Sequence, residues 1–400
     1  MSRTAPSPSA LTPQEILDHC TRDFDRIVSL RRRIHRRPER GLANPETQSL
    51  ILDELKAIGL TATKGKGKCT WVTADIRGTA AGPARCVLLR ADMDALPLTE
   101  TNETDYVSEV EGVMHACGHD GHVAMLLGAA RVLYDNRERF AGTVRLMFQP
   151  GEEGAGGARV MIEEGALDNV DAAFAMHLQP SDPPNMMAWR DGPVLAADDS
   201  FFVTFAGAGG HASTPHDAND PIPAIGPFVD GLSHAAARET DPNDRVVFSV
   251  TRVQAGTGGN IIPHEVKCSG TIRSLSPTGR ERAHAQLSRI AEGVAASHGL
   301  KVDVKLWMGY GPTINDRASV NRVVTAADAL GLDLREMPGP YMGAEDFSYV
   351  LGKIPGAMVF LGCGTKDGGP LHSDRMQIDE SVLPSGAALH VACALEFLAD

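Results

Sequence analysis

From residue 70 to residue 176 the chain repeats one rhythm, a short apolar run followed by a segment of helical spacing, and this alternation restricts the fold more than any other feature. Residues 70–77 alternate apolar and polar, 86–90 form a short buried run, and 122–134 carry a helical period. Residues 144–148 then read as a strand, 158–164 as a helix and 172–176 as another strand. Strand, helix, strand in this order predicts an α/β layer structure with a largely parallel sheet. The residues best suited to chemistry stand where those strands stop: Asp92 after the 86–90 run, Glu152 and Glu153 after 144–148, and His177 after 172–176. His372 lies beyond a later strand at 358–361. Ligands of open α/β sheets bind in the crevice outside the carboxyl ends of the strands. Residues far apart in the chain are therefore expected to converge on one rim.

The pattern changes between residues 198 and 311. Strand 200–205, helix 223–236, strands 246–253 and 266–275, helix 281–297 and strand 302–307 spell βαββαβ, the ferredoxin-like split motif. In the second helix Leu287, Ile290, Val294 and Ala295 mark the apolar face. A chain of 400 residues is long enough for two domains. The expected division is a first domain of 1–197 and 312–400, completed after an inserted domain of 198–311. At the start, Thr12, Pro13 and Glu15 supply an N-cap, a first-turn proline and a capping-box acid. Ile16, Cys20, Phe24, Ile27, Leu30 and Ile34 continue at helical spacing through the basic stretch Arg31-Arg32-Arg33-Ile34-His35-Arg36-Arg37, which therefore reads as the solvated face of a helix. Asn44-Pro45 opens a further helix that Gly59 closes, with Ile51, Leu55 and Ile58 on one face.

Composition narrows the partners. Lys and Arg total 38 against 51 Asp and Glu, a formal charge of -13 that repels a phosphate backbone, so nucleic acid is not an expected partner. Seven scattered cysteines without a CxxC pair argue against a disulfide framework or a zinc finger and for a reducing compartment. Met1-Ser2-Arg3-Thr4-Ala5-Pro6-Ser7-Pro8 carries no apolar leader core, and no stretch reads as apolar over the length of a membrane span. No membrane partner and a cytoplasmic location are expected.

The chemistry concentrates in Met114-His115-Ala116-Cys117-Gly118-His119-Asp120-Gly121-His122 and in Gln149-Pro150-Gly151-Glu152-Glu153-Gly154. Cys117 and His119 flank a single glycine, and thiolate and imidazole both bind zinc-like ions well. Of two adjacent glutamates one can hold metal while the other moves a proton. Each residue alone has a plainer reading: lone buried cysteines and histidines are mostly structural, acid pairs are common on surfaces, and His177 and His372 suit a core as readily as a ligand set. The joint pattern points to a metal-hydrolase centre. A binding protein that keeps metal without turnover is the competing class, and Glu152 beside Glu153 counts against it because a structural site needs no extra acid.

At these residues the chain resembles the M20 metallopeptidase family, in particular its aminoacylase and amidohydrolase branch of hippurate hydrolases and auxin-conjugate hydrolases. The matching segments are Arg90-Ala91-Asp92-Met93-Asp94-Ala95-Leu96-Pro97, the two clusters above, Gly209-Gly210-His211-Ala212 and Gly259-Asn260-Ile261-Ile262-Pro263. Gly270-Thr271-Ile272-Arg273, Gly343-Ala344-Glu345-Asp346-Phe347 and Leu371-His372-Ser373 follow in the family's order. The resemblance implies that Cys117, His119, Glu153, His177 and His372 hold one or two divalent ions, with zinc, manganese, cobalt and nickel all open, and that Glu152 is the catalytic acid/base. Peptidase relatives use His-x-Asp where this chain has Arg90-Ala91-Asp92, so Asp92 is assigned a supporting role. By the same resemblance His211 reaches a neighbouring subunit's site to stabilise an oxyanion, Asn260 and Arg273 grip a substrate carboxylate, and the inserted domain is a lid and dimerisation domain of a homodimer. The implied activity is cleavage of N-acyl amino acids of the hippurate type to a carboxylic acid and a free amino acid. A dipeptidase on the same scaffold is the alternative.

Overall fold

A computed structural model describes residues 10–65 and 67–399, so the stretch Met1 to Pro8 lies outside the described residues. The chain forms two compact units, one of Met1–Val194, Ile314–Gly339 and Tyr349–Asp400, the other of Leu195–Thr313 and Pro340–Ser348.

The first unit is built on an eight-stranded sheet. Its order is Ala62–Lys64, Val72–Arg77, Thr143–Gln149, Cys86–Asp92, Ala172–Gln179, Gly356–Gly362, Met186–Trp189 and Asp333–Glu336. The four strands from Thr143–Gln149 to Gly356–Gly362 run parallel to one another, whereas Val72–Arg77 joins Thr143–Gln149 antiparallel. Helices cover the parallel strands, which explains why Cys86–Asp92 and Gly356–Gly362 are buried at every position; Gly356–Gly362 reads as an unbroken apolar run, whereas Cys86–Asp92 ends its apolar run with the ion-paired Arg90 and Asp92.

Helix Pro13–Arg22 begins with the capping box: Thr12 Oγ1 accepts the Glu15 N–H at 3.3 Å, and Glu15 Oε2 accepts the Thr12 N–H at 2.7 Å. The chain then departs from the single long helix that its periodicity suggests. The Asp23 N–H turns back to the Cys20 carbonyl at 3.2 Å, and a second helix, Phe24–Arg36, starts beyond it. The solvated basic face is corrected as well. Arg31 and His35 are each only 1% exposed. Arg31 Nε lies 2.6 Å from Asp120 Oδ2 and its Nη1 3.2 Å from Glu380 Oε1, while His35 Nδ1 meets Asp120 Oδ2 at 2.8 Å. Carboxylates from distant segments draw this cation into the interior, a pairing that helical spacing does not reveal. A third correction concerns Glu380–Leu398, which is long and apolar enough to cross a membrane yet is mostly buried within the protein. A helix apolar on all sides serves equally as the centre of a core, and this one packs against His119–Asp135 and the sheet.

The second unit carries a four-stranded antiparallel sheet ordered Val246–Ala255, Glu265–Ser274, Ala197–Ala206, Lys301–Met308. Helices Ile225–His234 and Pro277–His298 complete the βαββαβ order along the chain. Strand Ala197–Ala206 buries alternate residues, so Phe201, Val203 and Phe205 pack with Phe228, Ile272 and Leu287 in this unit's own core. The segment Pro340–Ser348, outside the expected 198–311, joins this unit because the Ala196 N–H donates to the Gly343 carbonyl at 2.9 Å and Leu195 bridges Tyr341.

Candidate metal centre

Four backbone devices bring the candidate ligands of the first unit to one rim of its sheet. Gly118 takes φ +90° at the N-cap of helix His119–Asp135, so the chain reverses between Cys117 and His119 and both side chains serve one point. Gly151, at φ +73°, makes the corresponding turn after strand Thr143–Gln149 and delivers Glu152 and Glu153. His177 is the sixth residue of strand Ala172–Gln179. His372 is one of three non-glycine residues with positive φ among the described residues, at +63°, and its N–H donates to the Ala116 carbonyl at 2.8 Å. Such a backbone is costly for a residue with a Cβ and persists where the surroundings impose it, often at functional sites.

The side chains converge. Ligand atoms of Cys117, His119 and His177 lie within 4.8 Å of one another, as do those of Cys117, Glu153 and His372, and those of His119, Glu152 and Glu153. Cys117 Sγ is 3.3 Å from His177 Nε2, and His372 Nε2 is 3.3 Å from Glu153 Oε1. Carbonyl groups settle the orientation of two imidazoles. His119 Nδ1 donates to the Asp94 carbonyl at 2.9 Å and His177 Nδ1 to the Leu178 carbonyl at 2.7 Å, which leaves each Nε2 lone pair facing the cluster. Asp94, quoted above only within a longer motif, does more. Its Oδ1 accepts the Glu152 N–H at 2.9 Å and its Oδ2 the Glu153 N–H at 3.2 Å. Asp92 ends the neighbouring strand fully buried, 2.5 Å from Arg90 Nη1 and 3.6 Å from His119 Nε2. The signal for Asp94 was present in its two-residue spacing from Asp92, but a carboxylate bonded to backbone leaves no periodic trace.

The electrostatics suit a cation. Burial pushes the Cys117 thiol up despite His119 and His372 nearby. Burial would lower His119, but Asp92 and Cys117 outweigh it and hold the ring well above the usual histidine range. Hydrogen bonds to Cys117 and Glu153 raise His372 to about 10, while burial drives His177 down to about 3. His119 Nε2 is buried without a hydrogen-bond partner among the described residues. In overlapping trios, the Cys117 thiol, the imidazoles of His119, His177 and His372 and the Glu153 carboxylate form a donor set that fits a zinc-like divalent ion.

His211, Asn260 and Arg273 lie in the second unit. His211 and Asn260 share a small hairpin in which His211 pairs with Ile261 and the Ala212 N–H donates to the Asn260 carbonyl at 3.1 Å. Both side chains are exposed. Ser213 N–H donates to His211 Nδ1 at 3.1 Å, which keeps a proton on Nε2. Arg273 faces Asp198 across two antiparallel strands, and its Nη1 pairs with the Asp198 carboxylate.

Comparison with known proteins agrees with this geometry. The profile of peptidase family M20/M25/M40 matches residues 88–396. Thermostable carboxypeptidase 2 of Saccharolobus solfataricus is 39% identical over 379 residues, spanning 93% of this chain and 95% of the relative. IAA-amino acid hydrolase ILR1-like 2 of Arabidopsis thaliana is 40% identical over 386 residues, spanning 94% and 86%. A solved Bacillus subtilis protein, described as a dinuclear metal binding peptidase from the M20 family, superposes with a TM-score of 0.84 at 32% identity and covers 95% of this chain and 99% of its own. A largely parallel α/β sheet with this ligand cluster at its rim defines a metal-dependent hydrolase of amide bonds. The chain belongs to peptidase family M20/M25/M40.

Proposed function

We propose that the protein hydrolyses the amide bond of N-acyl amino acids, releasing a carboxylic acid and a free amino acid. The observation that carries this reading is Glu152, 6% exposed, its backbone held by Asp94 and its carboxylate within 4.8 Å of the ligand atoms of His119 and Glu153. Cys117, His119, Glu153, His177 and His372 would hold one or two divalent ions, with zinc, manganese, cobalt and nickel compatible with the mixed donors. When bound, such an ion polarises a scissile carbonyl and acidifies water. Glu152 takes the proton of the attacking water and hands it to the departing amine, the two halves of general acid–base catalysis.

The second unit supplies the remaining contacts in a homodimer. His211 of a partner subunit donates its Nε2–H to the developing oxyanion. Asn260 and Arg273 bind the amino-acid carboxylate, the guanidinium through its planar fork, and the unit closes as a lid. The names of two relatives support an amide whose amine half is an amino acid, since one is a carboxypeptidase and the other an IAA-amino acid hydrolase. Aromatic acyl groups of the hippurate type are the preferred acyl class. The carboxypeptidase relative favours peptide cleavage as the second reading. All seven cysteines are free and buried, in keeping with a cytoplasmic location.

A panel of N-acetyl, N-benzoyl and long-chain acyl amino acids, run beside unmodified dipeptides on metal-reconstituted protein with released amine as readout, tests the proposal. Faster turnover of the acylated substrates is expected. Turnover confined to dipeptides with a free α-amine would replace it with the dipeptidase reading.

A further inference from the structure

His122 stands one turn beyond His119 in helix His119–Asp135, and its ring meets that of His177 nearly edge-on, with centroids 4.8 Å apart. Its ligand atom lies within 4.8 Å of those of Asp92 and His119, a trio whose residue types would suit a cation. Hydrogen-bond roles decide otherwise. A backbone N–H only donates, so the Leu178 N–H, 2.9 Å from His122 Nε2, makes that nitrogen an acceptor and leaves the ring proton on Nδ1. Nδ1 then donates to Asp92 Oδ1 at 2.5 Å. Asp92 is held in turn by Arg90 Nη1 at 2.5 Å, and Arg90 Nε by Gln149 Oε1 at 2.9 Å. No lone pair of the His122 ring remains for a metal.

The ring holds backbone instead. The ladder between strands Cys86–Asp92 and Ala172–Gln179 ends at Arg90 opposite Ala175, short of His177 and Leu178. Beyond that point Leu178 has its N–H taken by His122 and its carbonyl by His177 Nδ1 at 2.7 Å. Two imidazoles thus clamp one residue, and the clamp points His177 Nε2 at Cys117 Sγ, 3.3 Å away.

We propose that His122, backed by Asp92 and Arg90, is a positioning residue that fixes the Leu178 backbone and through it the ligating geometry of His177, and is not itself a metal ligand. The inference rests on the reading of Cys117 and His177 as ligands. Buried partners of this kind typically change metal affinity by roughly 10–100-fold when removed.

The test is cobalt(II) affinity of the metal-free protein, measured by competition with a chromogenic chelator, together with the thiolate-to-cobalt absorption band of Cys117. His122→Phe keeps the ring but removes both hydrogen bonds, and is expected to weaken binding roughly 10–100-fold and shift the band. His122→Gln retains an amide oxygen for the Leu178 N–H, and is expected to stay close to wild type. Equal loss in both variants would make His122 a ligand and overturn the proposal, and so would wild-type affinity in His122→Phe. If His122→Phe does not fold, His122→Gln decides alone: a retained band and affinity support the clamp, and their loss defeats it. Cys117→Ala is the separate control, since an unchanged band there would remove the underlying ligand reading instead.

Discussion

The carboxylate of Asp94 accepts the backbone N–H of Glu152 at 2.9 Å, and with its other oxygen that of Glu153 at 3.2 Å. One buried side chain thereby sets the position of both members of the acid pair. Asp94→Asn replaces one acceptor with an NH2 group that faces a backbone N–H. An unsatisfied buried donor costs about 1–3 kcal/mol, and displacement of a catalytic group by an ångström costs about 100-fold in rate. We expect kcat to fall by roughly that factor, with a lower melting temperature. Unchanged kcat in the folded variant would show that the clamp does not govern the position of Glu152.

Glu152→Gln preserves shape and removes the carboxylate that takes up and returns the proton. A positioned acid/base contributes about 10²–10⁴-fold, so kcat should fall within that range while metal content and thermal stability stay at wild-type levels. Full activity in this variant would refute the assignment while leaving metal binding open.

Acid stability offers a check on the second unit. Asp199 is almost fully buried and bonded by Arg280 Nε at 2.8 Å, His284 Nε2 at 2.7 Å and the Gly309 N–H at 3.1 Å. Burial would raise its pKa, but the hydrogen bonds and charge of Arg280 and His284 outweigh that and hold it down at about 2. A carboxyl depressed in the folded state stabilises fully above its unfolded value of about 4, and loses that contribution as the pH falls from about 4 toward 2. Melting temperatures of wild type and Asp199→Asn should differ most above about pH 4 and converge below it. A gap that widens on acidification would contradict the sign.

Arg31 is the buried cation that the N-terminal helices bring to Asp120 and Glu380, with its guanidinium also 4.7 Å from the Tyr106 ring centroid. Arg31→Met leaves Asp120 buried without its main counter-charge. Breaking one side of a buried pair costs about 3–5 kcal/mol, so chemical denaturation should show a loss of that size. A loss under about 1 kcal/mol would place the pair with ordinary surface ion pairs.

Much of the local structure was legible in the chain. The capping box at Thr12, the helix Pro45–Ile58 closed by Gly59 at φ +102°, and the βαββαβ order of the second unit all depend on short-range chemistry or on period. The break at Asp23 was not legible, because apolar spacing continues across it and only the backbone reversal ends the helix. Nor was the burial of Arg31 and His35, whose partners Asp120 and Glu380 stand in other segments. The apolar helix Leu383–Leu398 shows the same limit, since an all-round apolar surface is compatible with lipid or with a core until its neighbours are known.

What the chain determines by itself is the inventory: one strand that ends on Asp92, another followed by Glu152 and Glu153, a third that carries His177 near its end, and a Cys-Gly-His turn where only glycine reverses the backbone easily. Residue type and period are properties of neighbours in sequence, and they survive in a linear reading. The tertiary structure alone decides that Nε2 of His119 and of His177 faces the cluster and that both nitrogens of His122 are engaged elsewhere, because the Asp94 and Leu178 carbonyls, the Leu178 N–H and Asp92 settle those roles. It also decides that Asp94 holds the acid pair and that Pro340–Ser348 joins the second unit. These are matters of register and approach between segments brought together by burial, and a sequence records no distances between them.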